Sequence, residues 1–403
     1  MESAPLIIGL LALLAGLAIG KAWERYKLRD GKWIDRRRAR ESHHYVLGLN
    51  FLVANQIDIA IEELSQAARV DSDALEIHLI LGNVYRERGQ VARAIQIHQA
   101  LLQRPKLTKT EHAYALLCLG LDFKRGGFVD RALEAFSEVL RLDPKNQYAL
   151  LYLQKLHEEQ HQWDDAYRIR QQLVDLSGPD THPRSQSILA FIENERGLEA
   201  LRAGRLDDAA QRFESAIDLD RTTAPAYLNL GDVRQKEGDR GGALAAWERL
   251  LATAPERAYL AFDRLERAHA AAGTPYKFEE RCRQLIAVNP LDWRARLMLG
   301  RHLAARGELT SAFDLLLDAL AHNPHGLTVH QAIWGVLMQV GLNRALVQRY
   351  VEAARDAVFF LDPHVCVKCH YRSTELLWQC PHCHEWNTFV EERIAPAKET
   401  VEM

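Results

Sequence analysis

A small residue recurs along this chain about every 34 positions, and that period limits the fold more tightly than any other feature. Gly48 is followed twelve residues later by Ala60, Gly82 by Ala94, Gly120 by Ala132, Gly197 by Ala209, Gly231 by Ala243 and Gly300 by Ala312. Apolar residues follow each pair: Leu64 and Ala67, Leu101, Phe136, Phe213 and Ala216, Trp247 and Leu316. A weaker copy centres on Gln154 and Ala166, and less regular units fall at 266–290 and 333–349. A period of this length marks a unit that cannot bury its own apolar face and must stack on its neighbours.

The unit reads as a helical hairpin. Gly and Ala let two helices approach closely, and a Gly-polar turn such as Arg88-Gly89, Arg125-Gly126-Gly127, Ala203-Gly204-Arg205 or Glu237-Gly238-Asp239 separates them. Pro144, Pro255, Pro290 and Pro324 stop the second helix before the next hairpin. The expected fold class is therefore all-α, a tetratricopeptide-repeat superhelix of about nine units over 43–357. Two spacings exceed the period. Gly82 to Gly120 is 38 residues, with the surplus near Pro105–Thr110, and Gln154 to Gly197 is 43, with the surplus at Ser177–Arg184. The second, over 177–187, either divides the array into two rigid halves with a bend or is a tolerated surface loop. Counting from the small-residue anchors, the inner groove is expected to present Leu49, Leu52, Asn83, Arg86, Leu121, Lys124, Leu198, Leu201, Asp232, Gln235 and Arg301. Leucine mixed with Arg and Lys suits an amphipathic partner of some acidic character. The competing reading is that the leucines pack against the neighbouring hairpin.

At the C-terminal end stand two Cys-x-x-Cys pairs, Cys366/Cys369 and Cys380/Cys383, with ten residues between them. Two facing knuckles of this kind complete a tetrahedral four-sulfur shell for one structural ion, zinc or iron. A disulfide or redox pair is the alternative. The metal module is expected over 358–390 and a charged tail over 391–403. About ten residues join the last repeat-like helix to Cys366, too few for a free linker, so the module is expected to fold back onto the last repeats. His364, His370, His382 and His384 flank the knuckles and are read as outer or surface groups, since four thiolates leave no open position.

The other end reads as a membrane anchor. Residues 3–20 carry no charge and as a helix span roughly 27 Å, about one bilayer core. A basic juxtamembrane segment follows over 21–42, with nine basic residues between Lys21 and Arg40 against Glu24, Asp30 and Asp35, and Trp23, Tyr26 and Trp33 are placed as interfacial anchors. Positive charge after the apolar run, not before it, argues against a cleaved signal peptide and places the body in the cytoplasm, with contact to membrane lipid through the N-terminal helix. Net charge is −3, so once the basic stretch is set aside the body is acidic and nucleic acid is not the expected partner. No phosphate loop, nucleophile elbow, His-Glu-x-x-His or Gly-x-Gly-x-x-Gly is present, so the chain does not read as an enzyme.

The combination resembles the lipopolysaccharide assembly protein B family of Gram-negative bacteria. The resemblance is carried by the apolar opening followed by Trp23-Glu-Arg-Tyr26, by the repeat array, and by the rubredoxin-like ending Cys366-x-x-Cys369…Trp378-Gln-Cys380-Pro-x-Cys383-x-x-Trp386. It implies metal ligands at Cys366, Cys369, Cys380 and Cys383. It also implies a single-pass inner-membrane regulator with a periplasmic N-terminus. The partners it implies are a membrane-bound AAA+ metalloprotease, the UDP-acyl-GlcNAc deacetylase that commits precursor to lipid A, and inner-membrane lipopolysaccharide sensor and assembly proteins. The expected role is an adaptor that promotes proteolysis of the deacetylase. The alternative is a general tetratricopeptide co-chaperone or scaffold for inner-membrane complexes without a protease.

Overall fold

The computed structural model describes residues 43–391 except 106, 178–182, 356 and 358–363. The membrane helix expected over 1–20, the basic segment 21–42 and all of the tail beyond Glu391 lie outside the described residues. Among the described residues no helix is long and apolar enough to cross a membrane.

Eighteen α-helices among the described residues pair in chain order into nine hairpins. They are α1 (His43–Val53) with α2 (Ile57–Val70), α3 (Leu75–Glu87) with α4 (Val91–Leu102), and α5 (Lys109–Arg125) with α6 (Val129–Leu142). Next come α7 (Gln147–Glu159) with α8 (Trp163–Ser177), α9 (Pro183–Arg202) with α10 (Leu206–Leu219), and α11 (Ala224–Lys236) with α12 (Arg240–Thr253). A 3-10 turn at Pro255–Ala261 leads into α13 (Phe262–Ala271), which pairs with α14 (Pro275–Val288). Last are α15 (Trp293–Ala305) with α16 (Leu309–His322) and α17 (Leu327–Gln339) with α18 (Arg344–Ala354).

Why these residues make hairpins is visible in one spacing. The side chain sixteen residues after each anchor glycine fills the space where a Cβ would stand. A Cβ on Gly120 would come within 2.6 Å of Phe136, on Gly197 within 2.5 Å of Phe213, and on Gly231 within 2.1 Å of Trp247. Leu64 and Leu316 do the same for Gly48 and Gly300. The second helix α6 buries one stripe, Ala132, Ala135, Phe136 and Val139, a 3.6-residue pattern. Each of the nine turns holds a left-handed residue, glycine in seven and Asn55 or His161 in the other two, with Leu342 joining Gly341 in the last turn.

At Gly82 the filler is His98, a single histidine on α4. It is buried, and its Nδ1 pairs with the carboxylate of buried Asp122, which also accepts from Arg86 at 2.9 Å. A polar ring thus fills this place because buried Asp122, itself paired with Arg86, satisfies it.

The chain divides after Leu156 into two compact units. The sequence put any division at 177–187, and that is not where it falls. The reason is local: α9 starts at Pro183, inside the inserted stretch, with Pro tolerated in the first turn. Phe191 and Ile192 of α9 then share a buried cluster with Trp163 and Ala166 of α8, so the hairpins flanking the insertion are packed together. Within the second unit a continuous apolar core runs from Ala200 to Leu337.

After the repeats comes a small antiparallel sheet in the order β2-β1-β3, with β1 at His364–Cys366, β2 at Arg372–Ser373 and β3 at Phe389–Glu391. Glu391 thus belongs to the module and not to the tail, one residue beyond the expected boundary.

Candidate metal centre and its docking face

Each knuckle is built the same way. The amides of His370 and His384, one residue after the second cysteine of each pair, donate back to the carbonyls of Cys366 and Cys380 at 2.9 and 2.8 Å. Both histidines sit in the left-handed region, at φ 60° and 56°, which closes the turn. The Cys366 and Cys380 amides then donate to Tyr371 and Glu385 carbonyls, each at 2.9 Å. The two histidines therefore hold backbone positions and are not ligands.

These turns bring all four sulfurs within 4.8 Å of one another. Cys366 Sγ lies 3.7 Å from Cys383 Sγ, and Cys369 Sγ lies 3.5 Å from Cys380 Sγ. Metal–sulfur bonds of about 2.3 Å place tetrahedral sulfurs roughly 3.8 Å apart, so the donor set fits one zinc or iron ion. All four are free thiols at distances far beyond the ~2.05 Å of a disulfide, which disfavours the disulfide alternative. Cys366 and Cys380 are fully buried, backed by Phe389. Burial pushes the Cys366 thiol up, but the Thr388 hydroxyl 3.2 Å away and the Cys369 and Lys368 amides outweigh it and bring it to about 6. Burial pushes Cys383 up to about 12, only partly countered by the Glu385 amide. A cation at the centre would remove that penalty, and a closed four-sulfur shell leaves no position for substrate.

The module does not rest on the last repeats alone, as its short join suggested. It reaches back some 200 residues along the chain. Trp386 stacks on Phe191 of α9, with ring centroids 5.5 Å apart and planes at 19°, and meets Trp163 of α8 edge-on at 6.3 Å. Trp378 lies 6.0 Å from the same Phe191 and carries the Arg257 guanidinium 5.7 Å from its ring. Polar contacts ring this wedge. Arg184 donates to Glu385 at 2.7 Å, Gln379 donates to Glu158 at 2.9 Å, and Arg294 pairs with Glu391. Arg294 also lies over Tyr259, 4.4 Å from its ring. The sequence marked Trp378 and Trp386 only as part of a motif; their receiving residues carried no signal, because nothing local ties Phe191 to position 386.

The expected groove residues separate into kinds. Arg86 and Asp232 are committed to ion pairs between successive first helices, with Asp122 at 2.9 Å and with Arg264 at 2.8 Å. Leu52 packs with Leu64, Leu81 and Val84, and Leu198 and Leu201 pack on the second unit's core. Leu49, Asn83, Leu121 and Lys124 are half-buried, and Gln235 and Arg301 are exposed.

Fold and site together define a class: this chain belongs to the tetratricopeptide-repeat proteins. The tetratricopeptide-repeat model matches 45–106, 118–169, 194–255 and 279–326, more than half of the chain, and a rubredoxin metal binding domain matches 364–391. Within that class the similarity runs end to end with lipopolysaccharide assembly protein B. The Escherichia coli K12 protein is 27% identical over 391 residues, covering 95% of this chain and 97% of that one. The Haemophilus influenzae protein of the same name is 25% identical over 400 residues, covering 95% and 98%. Among solved structures, the C-terminal part of a tetratricopeptide-repeat protein from Cytophaga hutchinsonii aligns with a TM-score of 0.41 at 13% identity, covering 71% of this chain and 98% of that one.

Proposed function

We propose that this protein is a non-enzymatic adaptor anchored in the inner membrane by residues 1–20, its repeats and metal module facing the cytoplasm. In this reading it presents the UDP-acyl-GlcNAc deacetylase of lipid A synthesis to a membrane-bound AAA+ metalloprotease and so limits lipopolysaccharide output. The observation that carries the reading is the end-to-end similarity to proteins named for lipopolysaccharide assembly, metal module included. A stack of hairpins offers side chains from many helices to one partner, and a tether raises the effective concentration of membrane-bound partners. The four-sulfur ion is structural: it fixes the fold that carries Trp378 and Trp386 onto the second unit. Depleting the protein in its host while following deacetylase half-life, with protease-deficient cells as control, tests this. A lengthened half-life is expected, and unchanged turnover overturns the adaptor reading.

A further inference from the structure

The four sulfurs are not held alike. Thr388 is buried, 4% exposed, and its hydroxyl lies 3.2 Å from Cys366 Sγ. Strand pairing puts it there. β3 runs antiparallel to β1 with Phe389 opposite Cys366, and the Thr388 carbonyl, just before β3, accepts from the Val367 amide at 2.9 Å. Thr388 therefore grips the first knuckle twice, by backbone at Val367 and by side chain at Cys366. The amides of Lys368 and Cys369 also reach Cys366, that of Tyr371 reaches Cys369, and that of Glu385 reaches Cys383. Those amides belong to the turns, and any residue but proline supplies them, whereas a hydroxyl needs a particular side chain.

A hydroxyl has one proton to give, and two acceptors compete for it. The Glu385 carbonyl stands 3.5 Å away, beyond the ~2.5–3.0 Å of an O–H···O bond. The sulfur is nearer although it is the larger atom, so the closer contact is the one to Cys366. As a thiol Cys366 can itself be the donor. As a metal ligand it is a thiolate with no proton, so the hydroxyl has to donate. Charge makes that bond count. Four thiolates around one divalent ion leave a net negative charge, and Cys366 carries its share fully buried. A buried anion is costly unless donors face it, and a hydrogen bond to an ionised acceptor is roughly twice as strong as one between neutral groups.

We propose that Thr388 is a positioning residue for the metal, its hydroxyl donating to the Cys366 thiolate and tightening the hold of the four-sulfur site on its ion. Packing alone gives no reason for an oxygen at this place, since valine has the same shape and a buried hydroxyl is costly without a partner. The donated bond also draws electron density on the sulfur away from the ion, which makes Cys366 electronically distinct from the other three ligands. None of this rests on the adaptor reading or on which partners the repeats take.

The test uses the full chain in lipid nanodiscs, freed of metal by a chelator under reducing conditions and titrated with cobalt(II). Charge-transfer bands from sulfur to cobalt report how strongly the thiolates donate, and the titration gives the affinity. Thr388→Val should weaken cobalt binding about ten- to a hundredfold. It should also move the bands to longer wavelength, because losing the hydrogen bond raises the sulfur lone pairs in energy. Thr388→Ser keeps the hydroxyl and should hold the wild-type affinity and band positions. If the valine variant takes up no cobalt, Thr388→Ala removes the same hydroxyl without crowding the site and is read the same way. Bands at the wild-type wavelength once the hydroxyl is gone, or a serine variant shifted as far as the valine one, would overturn the proposal, since either leaves Thr388 only a packing role.

Discussion

Trp386→Ala should undock the metal module while leaving the metal bound. Trp386 is 7% exposed, stacks on Phe191 and sits edge-on to Trp163. Truncating a buried aromatic to alanine costs about 3–5 kcal/mol. Its indole N–H has no hydrogen-bond partner among the described residues, so the native side chain already bears a penalty of roughly 1–3 kcal/mol, and the net loss belongs near the lower end of that range. About 3 kcal/mol still raises the undocked fraction on the order of a hundredfold. The polar rim is worth much less. Arg184–Glu385 is partly exposed, and such pairs contribute about 0.2–1 kcal/mol. Hydrogen exchange followed by mass spectrometry reads the difference directly. In Trp386→Ala, peptides covering 183–202 and 385–391 should lose protection while those covering 206–253 keep it. Trp386→Phe should retain most of the docking. The reasoning is refuted if Arg184→Ala loosens α9 and the module as much as Trp386→Ala does.

Other outcomes follow from the same structure. Cys380→Ser with Cys383→Ser should abolish metal binding, measured by elemental analysis of the purified chain, and deprotect both knuckles and α9; stoichiometric metal in that variant would exclude the four-cysteine site. Visible absorbance of the wild-type chain would mark iron, and a colourless preparation with stoichiometric metal would mark zinc. Gly231→Ala should destabilise, since the ~1 kcal/mol gained in helix propensity is outweighed by the ~1–3 kcal/mol or more of forcing Trp247 aside; urea denaturation showing a rise in midpoint would contradict this. Stability should also fall in acid. Burial holds His330 below the usual histidine range, and burial likewise lowers His78 and His269. A depressed histidine means the unfolded chain takes up the proton first, so their contribution is full above about 6.5 and is lost as pH falls through the folded values. At His330 the Tyr350 hydroxyl lies 2.9 Å from Nδ1 while the Pro324 carbonyl takes the other nitrogen at 2.8 Å, an arrangement that suits the neutral ring. Urea melts at pH 7.5 and 5.5 should differ, and His330→Gln should shrink the difference; a larger difference in the variant would refute the assignment.

The 34-residue recurrence of glycine and alanine was enough to determine the hairpins, their number and their turns. The physical reason is that each glycine and the side chain sixteen residues later form a contact within one hairpin, so the whole interaction is written in one short stretch. The four-sulfur site was legible for the same reason, because Cys-x-x-Cys closes a local knuckle. What only the tertiary structure decided was long-range pairing. Asp122 found Arg86 and His98 from neighbouring helices, which turned a lone histidine into the filler of Gly82. Two of the expected groove residues, Arg86 and Asp232, were likewise taken by neighbouring helices. Phe191 and Trp386 meet across 195 positions of sequence, and no period or motif relates them. Their contact depends on the cluster that α8 and α9 form with Trp163 and Ala166, which exists only once those helices are packed.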